Sequence, residues 1–193
     1  MRRFVFFGLL AALCAPVAGA TTLVRQSLGQ LVNTHQTIVV GEVLEASSYW
    51  NPDHSFILTD VRIGISDFVK GDPGKDVITV TLMGGTVGDL TTVIVGGAEL
   101  ELGRSYLLFL NPEGLPGVRQ ALTVREHVQG VFDVRPGRDG RLMAQSQASH
   151  HPLWPDDRQL ESPVGGSDGL PLESLLRSIR TLDRLHSHGP EVR

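Results

Sequence analysis

Val77-Ile78-Thr79-Val80-Thr81-Leu82-Met83 alternates apolar with polar side chains, and the stretch from Asp76 to Pro112 that it opens decides the fold. A period of two marks a half-buried β-strand. Gly84-Gly85-Thr86-Val87-Gly88-Asp89 follows as a turn, since glycine reaches positive φ without a steric cost. Leu90 to Val95 reads as the returning strand, closed by Gly96-Gly97. Tyr106-Leu107-Leu108-Phe109-Leu110 is then apolar without a break up to Asn111-Pro112, which reads as its stop. A strand apolar on both faces sits at the centre of a core.

Working outward, Ile57, Val61, Ile63 and Ile65 share one face of a second strand, and Leu58, Asp60, Arg62, Gly64 and Ser66 the other. Before it, Ile38-Val39-Val40-Gly41-Glu42-Val43-Leu44 is strand-like, with Gly41 marking a bulge or a barrel bend. Tyr49-Trp50-Asn51-Pro52-Asp53 reads as the loop between the two. Leu23, Val24, Leu28, Leu31 and Val32 are spaced as a short amphipathic helix within 22–36. Beyond Pro112, strands are expected at 119–124 and 130–134, with Asp139-Gly140 as a hairpin turn before Leu142-Met143.

Residues 145–169 are rich in Ser, Pro, Gly, Gln and Asp and read as a flexible linker. Leu172, Leu175, Leu176, Ile179, Leu182 and Leu185 then form one stripe of an amphipathic helix within 170–188. Such a stripe needs apolar cover, and the chain's own sheet is the expected surface.

The first twenty residues stand apart. Arg2-Arg3, the apolar run Phe4 to Leu13 and Ala18-Gly19-Ala20 have the three parts of a signal peptide, cleaved after Ala20. The apolar run is shorter than the ~20 residues that span a bilayer, so no transmembrane span is expected in the mature chain. Its removal takes away Cys14, the single cysteine, and leaves 15 basic residues of the 17 against 21 acidic ones. Disulfide and thiolate chemistry are then excluded, and an acidic chain is a poor nucleic-acid binder. The expected destination is the periplasm or the exterior, and the expected partner an envelope or extracellular protein or ligand.

No catalytic, cofactor-binding or metal-binding residue is assigned. The seven histidines lack metal-site spacing and read as solvated. Gly84-Gly85-Thr86-Val87-Gly88 lacks the lysine of a phosphate loop. Asp60, Glu99 and Glu101 fit solvent-facing strand positions, and no spacing pairs two of them as acid and base. Tyr49 and Trp50 are the candidate ligand-facing aromatics, with a core anchor at a strand end as the equal alternative.

The order of Thr37-Ile38-Val39-Val40-Gly41-Glu42-Val43, the strand ending Asp67-Phe68-Val69-Lys70-Gly71, Val77-Ile78-Thr79-Val80, and Leu102-Gly103-Arg104-Ser105 leading into Tyr106–Leu110 resembles netrin-module and TIMP-like OB-fold barrels. It is most similar to their cysteine-poor relatives among exported bacterial proteins of uncharacterised function. The resemblance covers about Leu23 to Val134. It implies a five-stranded OB-like barrel, extended by extra strands, over residues 21–144, together with an exported location. It carries over no active residue, because the animal inhibitors begin with a cysteine and the mature chain here is expected to begin at Thr21 and to contain no cysteine. The expected function is a non-enzymatic exported binding or interaction module. The alternatives are a protease-inhibitor-like module acting through its loops, or a hydrolase with an unrecognised carboxylate site.

Overall fold

Residues 25–72, 74–124, 127–150 and 169–187 are described in the computed structural model. They form a mainly β fold with a short helix near the N-terminus and a longer one near the C-terminus. The expected leader 1–20 and most of the expected linker lie outside the described residues.

Helix α1 (Leu28–Thr34) starts at a capping box: Gln30 N–H donates to Ser27 Oγ, and Ser27 N–H donates to Gln30 Oε1. It is shorter than the 22–36 window, and its buried residues are Leu31 and Val32. Strands β1 (Thr37–Trp50), β2 (Ile57–Lys70) and β3 (Val77–Met83) form an antiparallel meander. Strand β6 (Ser105–Leu115) returns to pair with β1 on one edge and with β8 (Val131–Pro136) on the other. β9 (Leu142–Ser146) follows β8 across the Asp139-Gly140 turn, and β10 (Leu170–Pro171) caps β9. Among the described residues the ladder therefore runs β10-β9-β8-β6-β1-β2-β3 without closing on itself, and β7 (Val118–Thr123) is paired to β6.

Two apolar clusters lie on opposite sides of this sheet. Leu107, Phe109, Ile38, Val40, Val69 and Phe132 face α1 and α2 (Leu172–Ser187), meeting Leu31, Val32, Leu172, Leu175, Leu176 and Ile179. Tyr106, Leu108, Leu110, Val39, Val43, Val61, Ile63 and Val80 face the other way. The unbroken run of β6 is thus split residue by residue between two cores, as a period of two requires. The C-terminal stripe docks on the chain's own sheet, with Leu185 left 65% exposed beyond the contact. Asp67 and Lys70 of β2 hold the helix in place through Arg180 (2.7 Å) and Asp183 (3.3 Å), and Lys70 Nζ also donates to Val32 C=O of α1.

Four readings need correction. Leu90–Val95 does not return along β3; β4 (Gly85–Val87) and β5 (Leu90–Thr92) make their own two-stranded sheet around Gly88-Asp89. β4 lies across β1 and β2, where a Cβ on Gly85 would strike Ser48 and Thr59. Asn111-Pro112 does not stop β6 either, because the strand changes partner there and continues against β7. Asn111, 4% exposed, accepts Gln36 N–H and donates to Thr34 C=O, clamping the joint between α1 and β1. Tyr49 and Trp50 belong to β1, not to a loop. Finally, residues 145–150 finish β9 and form a 3-10 turn, so the ordered chain extends into the expected linker.

Gly41 does mark an irregularity, since the β1–β2 register shifts between Val40 and Gly41. A Cβ there would come within 2.5 Å of Ile63 Cγ2 and 2.7 Å of Gly64 C=O, so only glycine permits this approach.

Ile63 is fully buried whereas the Arg62 side chain is 54% exposed, as opposite faces of one strand require. In urea unfolding, Ile63→Ala should lose about 2–5 kcal/mol. Arg62→Ala should stay within about 0.5 kcal/mol.

Candidate functional site

Tyr49 and Trp50 are consecutive in an extended strand, so their side chains leave on opposite faces. The structure accordingly separates the two expected aromatics into different surroundings. Both are half-buried.

Trp50 pairs with Ile57 at the end of the β1–β2 ladder and stands beside His54, ring centroids 6.2 Å apart and tilted by 31°. His54 has φ +55°, a conformation uncommon outside glycine. Buried Asn51 holds this turn: its Oδ1 accepts Ser55 N–H and Phe56 N–H, each at 2.9 Å. Its Nδ2 donates to Pro116 C=O, tying the β1–β2 turn to the β6–β7 turn. Ser55 donates to the Asp53 carboxylate and holds it below the usual aspartate range. This end is a rigid corner, and its polar groups are spent on the turn itself.

Tyr49 faces the other way, over the surface of β1, β2 and β3 opposite the second core. Cross-strand pairing sets Ser47 beside Asp60 and Asp60 beside Thr81, and one step along it sets Glu45 beside Arg62 and Arg62 beside Thr79. Asp60 is the centre of this face. Its Oδ1 accepts the Thr81 hydroxyl at 2.7 Å and the Tyr49 phenol at 3.2 Å. Among the described residues its Oδ2 takes no hydrogen bond. Arg62, two residues along β2 on the same face, is turned to Glu45 at 2.9 Å. Burial pushes the Tyr49 phenol above its ordinary value, and the charge and hydrogen bond of Asp60 push it the same way. Ser47, Glu45, Arg62 and Thr79 are exposed around this centre.

The other carboxylates do not join Asp60. Glu101 pairs with Arg104 at 3.1 Å, and Glu99 is held through its backbone by the Gln147 side chain. Among the described residues no three His, Cys, Asp or Glu side chains gather as a metal site would require. His35, expected to be solvated, is instead buried: its Nδ1–H donates to Leu31 C=O at 2.7 Å and its ring meets Phe109 edge-on.

An open groove of about 740 Å³ runs along α2, lined by Asp67, Leu142, Leu176, Arg141, Arg177 and Arg180. Its three arginines already pair within the chain, with Asp139, Glu173 and Asp67 respectively.

Sequence alternation placed Asp60 on a solvent-facing strand position but carried no sign of the hydroxyls around it. Thr81 is 21 residues away, and only the β2–β3 register brings it across.

Raised folded-state proton affinity means that the folded chain binds the Tyr49 proton more tightly than the unfolded one. Stability from this group is therefore complete below the ordinary tyrosine value of about 10 and falls as pH rises through the higher folded value. Asp60→Asn removes the charge, so absorbance titration at 295 nm in a Tyr106→Phe background should find the Tyr49 transition at lower pH than with Asp60 present.

No protein-family model matches the chain and no curated protein matches it, so the reading of this face rests on its own geometry.

Proposed function

We propose that this chain is an exported, non-enzymatic binding module, and that the β1–β2–β3 face around Asp60 is where it meets its partner. One observation carries the reading: a half-buried carboxylate with an open oxygen sits beside a half-buried tyrosine on a rigid ladder, ringed by exposed polar side chains. Binding residues work best when fixed by packing and by a supporting shell of hydrogen bonds. Here Thr81 and the strand pairing on both sides of β2 provide that support.

The architecture that suits this role is an OB-like barrel, which binds through one strand face and its loops. What supports it is the approach of β7, the strand that branches from β6, to the edge strand β3, with no ladder hydrogen bonds between the two among the described residues. The likeness in strand order to netrin-module and TIMP-like barrels points the same way. Export is supported by Arg2-Arg3, the apolar run to Leu13 and the Ala18-Gly19-Ala20 cleavage pattern. Binding is preferred over hydrolysis because glycosidase-type chemistry needs two facing carboxylates. On this face the second one, Glu45, is committed to Arg62.

The test is site-specific photocrosslinking in the native cell envelope. Ser47→benzoylphenylalanine, exposed beside Asp60, should give a discrete adduct that the same group at Arg138, in the exposed β8–β9 turn, does not give. Equal or absent adducts at the two positions would reject this face as the binding surface.

A further inference from the structure

Resting on that binding reading, we propose that the face takes a basic segment of a protein partner, with a lysine or arginine head group at Asp60 Oδ2 and against the Tyr49 ring. The charge arrangement points to this class. A carboxylate oxygen that no side chain of the chain engages can take a charge-assisted hydrogen bond from a cationic head group. Among the described residues, Asp60 has two neutral hydroxyl donors, both on Oδ1, and no cation. Arg62 lies two residues along β2 on the same face, and its guanidinium is paired with Glu45. A solvent-reachable carboxylate oxygen thus lies at the centre of an exposed ladder.

Tyr49 adds a second cue. Its phenol donates to Asp60 Oδ1 at 3.2 Å, so its ring lies beside the carboxylate. A cation placed there meets a carboxylate and an aromatic ring together, two groups that reinforce each other for an ammonium or guanidinium. An anionic partner would meet Asp60 and Glu45 instead. The excess of 21 acidic over 15 basic residues in 21–193 gives the same preference at longer range and speeds the encounter with a basic partner.

Asp60→Asn separates a ligand role from a structural one. The amide oxygen still accepts the Tyr49 and Thr81 hydroxyls, so the fold is kept, while Nδ2 replaces the open acceptor with a donor. Fluorescein-labelled hexalysine, titrated into residues 21–193 at low salt and followed by anisotropy, should bind saturably and weaken as salt is raised. Asp60→Asn should weaken it by about fivefold or more with the melting temperature unchanged. Glu99→Gln removes the same charge in the loop before β6 and should change binding by less than about twofold. Absence of saturable binding would overturn the proposal, as would equal weakening by the two variants, which would show bulk attraction only. If hexalysine fails while the Ser47 adduct still forms, the basic-segment assignment falls and the binding face stands.

Discussion

Burial of one strand on both faces is the constraint on which this fold depends. Tyr106 to Leu110 of β6 are all fully buried or nearly so, and Tyr106 to Leu108 have ladder partners on both edges. Each large side chain removed from water contributes about 1.5–3 kcal/mol gross. An arrangement that left either face of β6 open would forfeit roughly half of that. One face is covered by α1 and α2, the other by the curled sheet of β1, β2 and β3 together with Val124 and Val131. Everything that positions the Asp60 face hangs from this arrangement, because β1 is aligned by β6 and β2 by β1.

The helices are held by apolar cover, and their orientation is set by charge. Leu175 and Ile179 are buried in the first core, a contact of the kind that dominates helix stability in proteins. The ion pairs Arg180–Asp67 and Lys70–Asp183 are partly exposed, and such pairs contribute about 0–1 kcal/mol each. Their value is geometric: Asp67 and Lys70 on β2 meet Arg180 and Asp183 on α2, so the helix has one register on the strand. Asn33 Nδ2, donating to His186 Nε2, adds a tie between the two helices.

How much of this was legible in the sequence follows from the range of each signal. Periodicity is local, and it located β2, β3, the core run of β6, the Asp139-Gly140 hairpin and the leucine stripe of α2. Partner changes are not local. Asn111-Pro112 looks like a stop because proline lacks the N–H a ladder uses, yet β6 continues there against β7, which folds back on it. Glycines 84 to 88 look like one turn, but the backbone uses them to start a separate hairpin laid over Ser48 and Thr59. His35 looked solvated, and its burial against Phe109 depends on a contact 74 positions away. The Asp60 cluster had the same difficulty: its residues are unremarkable singly, and strand register alone assembles them.

Native-state hydrogen exchange resolved by residue tests most directly whether β6 is the element on which the rest depends. The account requires the amides of Leu107 to Leu110 and of their β1 partners Thr37 to Val40 to be the slowest in the chain. They should exchange only through global unfolding, with a denaturant dependence equal to that of the whole protein. Faster exchange of β6 through a local opening, while β2, β3 or α2 stayed protected, would place the stable centre elsewhere and contradict the account.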